Sequence, residues 1–242
     1  MDRLTRRQLK QDEFRESFEL LEAFLKKHYQ DIITVAILVI AVGGAAGGLK
    51  YYTDRQEAAA DADLGAALKT FHAYVGTPDP STTGPDMQAF PTAEAKYKKA
   101  LGQFSAIVQK YRMFPRPKAV TIARYHLGVC QALAGDRAAG IKTLEAVGQD
   151  RDREMAALAR FALASELVKN GNLPEAAKTY QALADHPTLS VPKGTALLAL
   201  AEAYRDSQPA RARQIYLQVQ NEFGADSRVA DALKQEMAGL PQ

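Results

Sequence analysis

The chain of 242 residues is long enough for one good core or two small ones. A hydrophobic fraction of 47% with only 11 prolines is typical of a folded chain and excludes disorder over most of its length. The formal net charge of +3 is too weak to hold a phosphate backbone, so nucleic acid is not an expected partner.

The segment 1–30 predicts an amphipathic helix. Phe14, Phe18, Leu21 and Leu25 recur at intervals that place them on one face of a helix. This helix either lies on the lipid surface, or contacts a partner, or only positions the segment that follows. Its mixed charge weakens the case for binding anionic lipid.

An uncharged run from Ile32 to Leu49 follows the tail. Its 18 residues would span roughly 27 Å as a helix, which matches the hydrocarbon core of a bilayer. Tyrosines and lysines flank both ends, where lipid headgroups would lie. The sequence therefore predicts a single transmembrane helix over residues 31–52.

Two alternatives compete with a retained membrane helix. A buried core helix would be expected to carry more polar residues than the single Thr34. A cleaved signal peptide is suggested by the small residues of GGAAGG, but the preceding tail is long and contains acidic residues, which favours a retained anchor.

The distribution of basic residues predicts the orientation of this helix. Seven lysines and arginines precede it, whereas the comparable stretch after it holds Lys50, Arg55 and Lys69. We therefore expect a single-pass protein of the inner (plasma) membrane, with a cytoplasmic N-terminus and a periplasmic or otherwise extracytoplasmic domain from residue 53. The seven residues before the span are Arg3, Arg6, Arg7, Lys10, Arg15, Lys26 and Lys27.

Four glycines within the span form two overlapping GxxxG spacings, Gly43 with Gly47 and Gly44 with Gly48. Positions without side chains let a second membrane helix approach closely. Glycine is also common in membrane helices that make no such contact, so both interpretations stay open.

Residues 53–225 predict an all-helical domain built from repeats. Apolar residues recur with helical spacing, and the chain resembles itself at an offset of 36 residues. Each copy consists of a helix, a tight turn and a second helix, with Asp136 and Asn172 placed to cap second helices after a glycine. Pro174 and Pro209 fall in first turns. Aligned positions include the trios Leu144, Tyr180, Tyr216 and Val147, Leu183, Val219.

An earlier helix pair is predicted to be split by a loop at 76–91, and residues 226–242 predict a final capping helix spaced by Val229, Leu233 and Met237. The domain would then hold about four helix pairs. The loop is either functional or a tolerated insertion.

The repeat pattern resembles tetratricopeptide repeats. The small-residue pair of that family looks like Leu127-Gly128, Leu163-Ala164 and Leu200-Ala201, and its second-helix positions look like Ala176, Tyr180 and Leu183. Gly140 replaces the usual alanine, and no tryptophan is present. The resemblance implies a solenoid whose first helices line a partner-binding groove. Carried over, it nominates Tyr125, Val129, Ala132, Phe161, Ser165, Val168, Leu198, Glu202 and Arg205.

The sequence carries no recognisable catalytic or phosphate-binding motif. We expect no enzyme activity, no cofactor, no metal and no small-molecule substrate. The single cysteine, Cys130, excludes an internal disulfide and is expected to be a small buried hydrophobic residue.

A basic tail, one membrane helix and degenerate repeats together resemble the bacterial family that includes the ancillary SecYEG translocon subunit, whose repeat domain is shared with a cell-division coordinator. The resemblance implies a membrane-tethered interaction protein, with the translocon and chaperones as partners, that assists protein export or periplasmic folding. The alternative is a structural accessory subunit of another inner-membrane complex.

Overall fold

The computed structural model describes residues 3–77, 88–113, 116–223 and 227–240. About 80% of the chain is helical. The chain divides into two compact units, Met1–Arg55 and Gln56–Gln242.

Helix α1, Arg3–Phe71, is 69 residues long. The first proline of the chain is Pro78, so no proline interrupts the helix. Within the first unit, α1 contains a segment long and apolar enough to cross a membrane, and none of its most apolar window is buried. Of the predicted stripe on the tail, Leu21 is exposed. Phe14 and Phe18 lie outside the described side chains.

The second unit is a succession of helices that begins with the C-terminal part of α1. From α2 to α9 each helix packs against the next, and α5 also contacts α3 and α7. This order of contacts is the one expected of helix pairs packed side by side. The helices are α2 (Ala93–Lys110), α3 (Lys118–Leu133), α4 (Arg137–Val147), α5 (Arg153–Lys169), α6 (Leu173–Asp185), α7 (Lys193–Tyr204), α8 (Pro209–Phe223) and α9 (Ser227–Ala238).

The predicted turn chemistry is confirmed at two helix starts. Asp136 accepts a hydrogen bond from the Ala139 N–H at 3.0 Å, and Asn172 caps α6 in the same way. The glycine before each cap has a positive φ, 100° at Gly135 and 79° at Gly171, which other residues adopt at a cost. Each turn therefore needs its glycine and its cap together.

Two short strands depart from the all-helical prediction. β1 (Tyr74–Val75) pairs in parallel with β2 (Ala89–Phe90), at the two ends of the predicted loop 76–91. Pairs of two residues are too short to produce an alternating pattern, which explains why the sequence did not predict them. Residues 78–87 of that loop lie outside the described residues.

The core of the second unit forms two clusters of buried side chains, one around α1, α2 and α3 and a larger one from α4 to α9. The six positions aligned at the offset of 36 residues are all buried in the larger cluster. Residues at equivalent positions of the repeat are therefore buried alike in the three second helices. These residues are Leu144, Tyr180, Tyr216, Val147, Leu183 and Val219.

The last helix closes the larger cluster. Leu233 is buried in it and Met237 packs against it, whereas the side chain of Val229 lies outside the described residues. Leu240, just beyond the end of α9, is also buried and was not predicted.

Helices α3 and α4 pack with their backbones in close contact at Gly128 and Gly140. A Cβ at Gly140 would lie 2.8 Å from the Gly128 carbonyl oxygen and 2.9 Å from the Ala132 nitrogen. Both neighbours are backbone atoms, so they cannot rotate away. This contact accounts for the glycine at 140, where the resembling family places alanine.

Gly140→Ala should therefore destabilise the chain, by about 1–3 kcal/mol, because the added methyl overpacks a backbone contact. The matched control is Gly102→Ala in α2, where a Cβ meets nothing within 4 Å. That variant should be neutral or gain up to about 1 kcal/mol from helix propensity. Urea unfolding of the full chain in detergent, followed by circular dichroism, measures both. Equal effects of the two variants would contradict the packing argument.

Candidate protein-interaction surface

The nine nominated groove residues occupy equivalent faces of three first helices. On α3, α5 and α7 they recur at i, i+4 and i+7, which places each trio along one side of its helix. The trios are Tyr125, Val129, Ala132; then Phe161, Ser165, Val168; then Leu198, Glu202, Arg205, the last being the C-cap residue immediately after α7.

The exposure of these residues differs along the three helices. Tyr125, Val129, Phe161 and Val168 are partly buried and pack against the larger core cluster, and Ala132 is buried. On α7, Leu198 and Glu202 are exposed. The α3 and α5 residues thus combine packing with partial exposure, and their contact with a partner stays a prediction.

On α5 the nominated face is tied to α6 through an aromatic contact. The ring of Phe161 meets that of Tyr180 edge-on, with centroids 5.3 Å apart. Burial raises the pKa of Tyr180 to about 12, although a hydrogen bond with Ser165 opposes the shift. Two nominated residues, Phe161 and Ser165, therefore share one buried tyrosine, which fixes their orientation.

Beside this face lies a buried carboxylate that the sequence did not single out. Glu166 on α5 is 7% exposed and makes ion pairs with Arg137 Nε at 3.1 Å and Lys169 Nζ at 2.6 Å. A buried charge is tolerated only when it is paired, and the pair with Arg137 joins the start of α4 to α5 whereas Lys169 lies on α5 itself. Arg137 is the first residue of α4. Nothing in the sequence around it indicates that it would pair with a residue on α5.

At the end of α7, two nominated residues, Glu202 and Arg205, belong to a polar network with α8 and α9. The Tyr216 hydroxyl donates to Glu202 Oε2 at 3.0 Å, and Arg205 Nη1 lies 3.2 Å from Glu202 and 3.3 Å from Glu236 of α9. Burial, and then the bond to Glu202, raise the pKa of Tyr216 to about 12. The C-terminal helix therefore holds Arg205 by charge.

An aromatic cluster surrounds the half-buried His126 at the start of the second unit. Its ring stacks on Phe104 and meets Phe71 and Tyr125 edge-on, and its Nδ1 is buried with no hydrogen-bond partner among the described residues. Desolvation, and then His72, lower the pKa of His126 to about 4. The imidazole is therefore neutral at physiological pH.

Cys130 lies on the same helix as His126 and is fully buried, as predicted. Burial raises the pKa of its thiol to about 12, so the reactive thiolate is scarce at neutral pH. Among the described residues, no group of three or more histidine, cysteine or acidic side chains is placed to hold a metal ion.

The four glycines of the predicted span lie within α1, in the first unit. A Cβ added at Gly43, Gly44, Gly47 or Gly48 would meet nothing within 4 Å. Unlike Gly128 and Gly140, they are not explained by contacts within the described part of the chain.

Comparison with known proteins adds no relative to this picture: no family model, no curated protein and no solved structure matches the chain.

The half-buried imidazole of His126 should make stability depend on pH. Between its ordinary pKa of 6.5 and the folded value of about 4, the unfolded chain binds a proton that the folded chain does not. Stability should therefore fall as pH drops through this window. His126→Phe keeps an aromatic ring and should reduce the dependence of stability on pH. The control His186→Gln, at an exposed histidine, should leave that dependence unchanged. Urea midpoints of the full chain at pH 7 and pH 5 measure this, and an unchanged slope in His126→Phe contradicts it.

Proposed function

We propose that the chain is a membrane-tethered helical-repeat protein that binds other proteins and catalyses no reaction. One observation carries the proposal: the apolar window within α1 has no buried residue, although it is long enough to cross a bilayer. The core helix of a soluble protein would be covered by its own chain. In this proposal the bilayer removes those side chains from water.

The helix pairs of the second unit are, in this proposal, tetratricopeptide-like repeats stacked as a solenoid. Buried equivalents at a 36-residue offset and the repeated glycine-cap turns support this assignment. Partners would contact the face of α3, α5 and α7. We propose that the chain assists protein export or periplasmic folding, with the translocon or chaperones as partners.

The tether should behave as a retained inner-membrane anchor with a cytoplasmic N-terminus. The full-length chain, carrying an epitope tag before Met1, should stay in the membrane after an alkaline carbonate wash and keep the tag. Protease added to intact spheroplasts should digest the chain beyond Tyr52. Loss of the tag from the mature chain would instead show a cleaved signal peptide, and protection of the second unit would reverse the orientation.

A second candidate is a structural accessory subunit of another inner-membrane complex. The four glycines of α1 favour it, because a Cβ added at any of them would meet nothing within 4 Å and a neighbouring helix can pack closely on a surface without side chains. In an accessory subunit that face would be buried permanently, whereas a simple tether leaves it against lipid.

Enlarging the glycine face separates the two candidates. Gly43→Leu with Gly47→Leu should abolish stoichiometric assembly of an accessory subunit, because leucine blocks helix approach, but should change partner capture by a tether little. Ala41→Leu with Ala45→Leu is the matched control, since these alanines lie on the side of the helix opposite Gly43 and Gly47.

Pull-down from mild detergent, followed by identification of the recovered proteins, is the measurement. Recovery of translocon or chaperone components by both variant pairs supports the tether. Salt-resistant recovery of an unrelated complex that only the glycine variants lose supports the accessory subunit.

A further inference from the structure

A cleft of about 740 Å³ opens between α4, α5 and α6. Residues of α4 and α6 line it from two sides, and α5, which packs against both helices, contributes residues between them. Lys142 of α4 and Lys178 of α6 lie at equivalent positions of the 36-residue repeat, so the repeat places one lysine on each side. None of the nine residues nominated for the groove lines this cleft.

The cleft carries an excess of positive charge that the chain does not neutralise. Four cations line it, Lys142, Arg153, Arg160 and Lys178, against two carboxylates, Glu145 and Glu175. None of these six residues takes part in an ion pair within the described part of the chain.

The two arginines of the cleft are held in place by carbonyl oxygens. The Arg160 Nε donates to the Gly148 oxygen at 2.8 Å, and Arg153 Nη2 reaches the Pro187 oxygen at 3.4 Å. A carbonyl orients a guanidinium without cancelling its charge. The positive field of the cleft is therefore preformed.

One rim of the cleft is an ordered loop. Glu154 accepts the backbone N–H groups of Ser190 at 2.7 Å and Leu189 at 3.4 Å, and Thr188, which lines the cleft, bonds to Val191. These hydrogen bonds lower the pKa of Glu154. They also hold Leu189 with 92% of its surface exposed, beside the cleft.

We propose that this cleft binds an acidic segment of a partner protein. Its cations pair with the segment's carboxylates, and the exposed aliphatic residues Ala146 and Ala182 contact its apolar side chains. The lining includes His186 but no phenylalanine, tyrosine or tryptophan ring on which a base could stack, and the net charge of the chain is only +3, which together favour carboxylates over nucleic acid. The volume is within the range of ligand sites, about 300–1,000 Å³. This inference rests on the proposed function only in that the chain binds proteins, and it places binding away from the α3, α5 and α7 face.

The test uses the full chain in a non-ionic detergent and a fluorescein-labelled peptide in which glutamate alternates with leucine and alanine. Fluorescence anisotropy should show binding that weakens with salt, and a peptide with glutamine in place of glutamate should not bind. Lys142→Glu with Lys178→Glu should weaken binding at least about tenfold. The matched control, Lys98→Glu with Lys118→Glu, makes the same charge change at exposed sites on α2 and α3 and should bind normally.

A second pair of variants tests the cleft without reversing charge. Glu145→Gln with Glu175→Gln removes the two carboxylates and should tighten binding of the acidic peptide. Leu189→Ser should weaken peptide binding severalfold, because the variant lacks the exposed apolar side chain that contacts the peptide in this proposal.

Three results would overturn the proposal. The first is that the cleft lysine variants and the control lysine variants weaken peptide binding equally. The second is that the glutamine peptide binds as tightly as the glutamate peptide. The third is that short-chain phosphatidylglycerol displaces the acidic peptide at a lower concentration than unlabelled peptide does. The last would assign the cleft to lipid headgroups. Failure of the unaltered chain to bind the acidic peptide would also reject this site, and pull-down of membrane partners that persists in that case would leave the proposed function standing.

Discussion

The removal of apolar surface from water is the constraint on which both units of this chain depend. At about 25 cal/mol per Å² of buried apolar area, it is the dominant favourable contribution to folding. In the second unit each helix buries its apolar side chains against the helices next to it in sequence, and these side chains form two core clusters. The apolar segment of the first unit has no such cover among the described residues. The same constraint therefore accounts for the packing of the helix pairs, and in the proposed function the bilayer satisfies it for the segment in α1.

Local chemistry made part of this architecture predictable. A glycine followed by Asp136 or Asn172 encodes a left-handed turn and a helix cap within a few residues, so the sequence alone placed these helix starts. Burial of Leu144 and its equivalents followed from the repeat, because equal spacing puts equal residues on equal faces. The pair β1–β2 escaped prediction because two residues carry no periodic signal.

The polar surface was much harder to predict, because it depends on contacts between distant residues. Glu166 reads as an ordinary exposed helix residue until Arg137, 29 positions away, is seen against it. Lys142 and Lys178 likewise look like solvated surface lysines in the sequence. Only the packing of α5 between α4 and α6 brings them to one cleft. The nine nominated groove residues pose the opposite problem, since the helical pattern fixes their face but not how much of that face neighbours cover.

The C-terminal helix changes how a partner would meet the first-helix face. Glu236 of α9 and Glu202 of α7 both engage Arg205, so one guanidinium serves the closure of the larger core as well as the nominated surface. A ligand that used Arg205 would have to compete with two carboxylates already in contact. The nominated residues of α3 and α5 carry no charge and so form no ion pair with which a ligand would compete. Tyr125 and Phe161 make aromatic contacts there instead. Binding on this face should therefore concentrate on α3 and α5, while charged ligands are better served by the cleft. If the chain is held in a membrane as proposed, modest affinities at both proposed sites would be sufficient, because confinement raises the effective concentration of partners in the same bilayer.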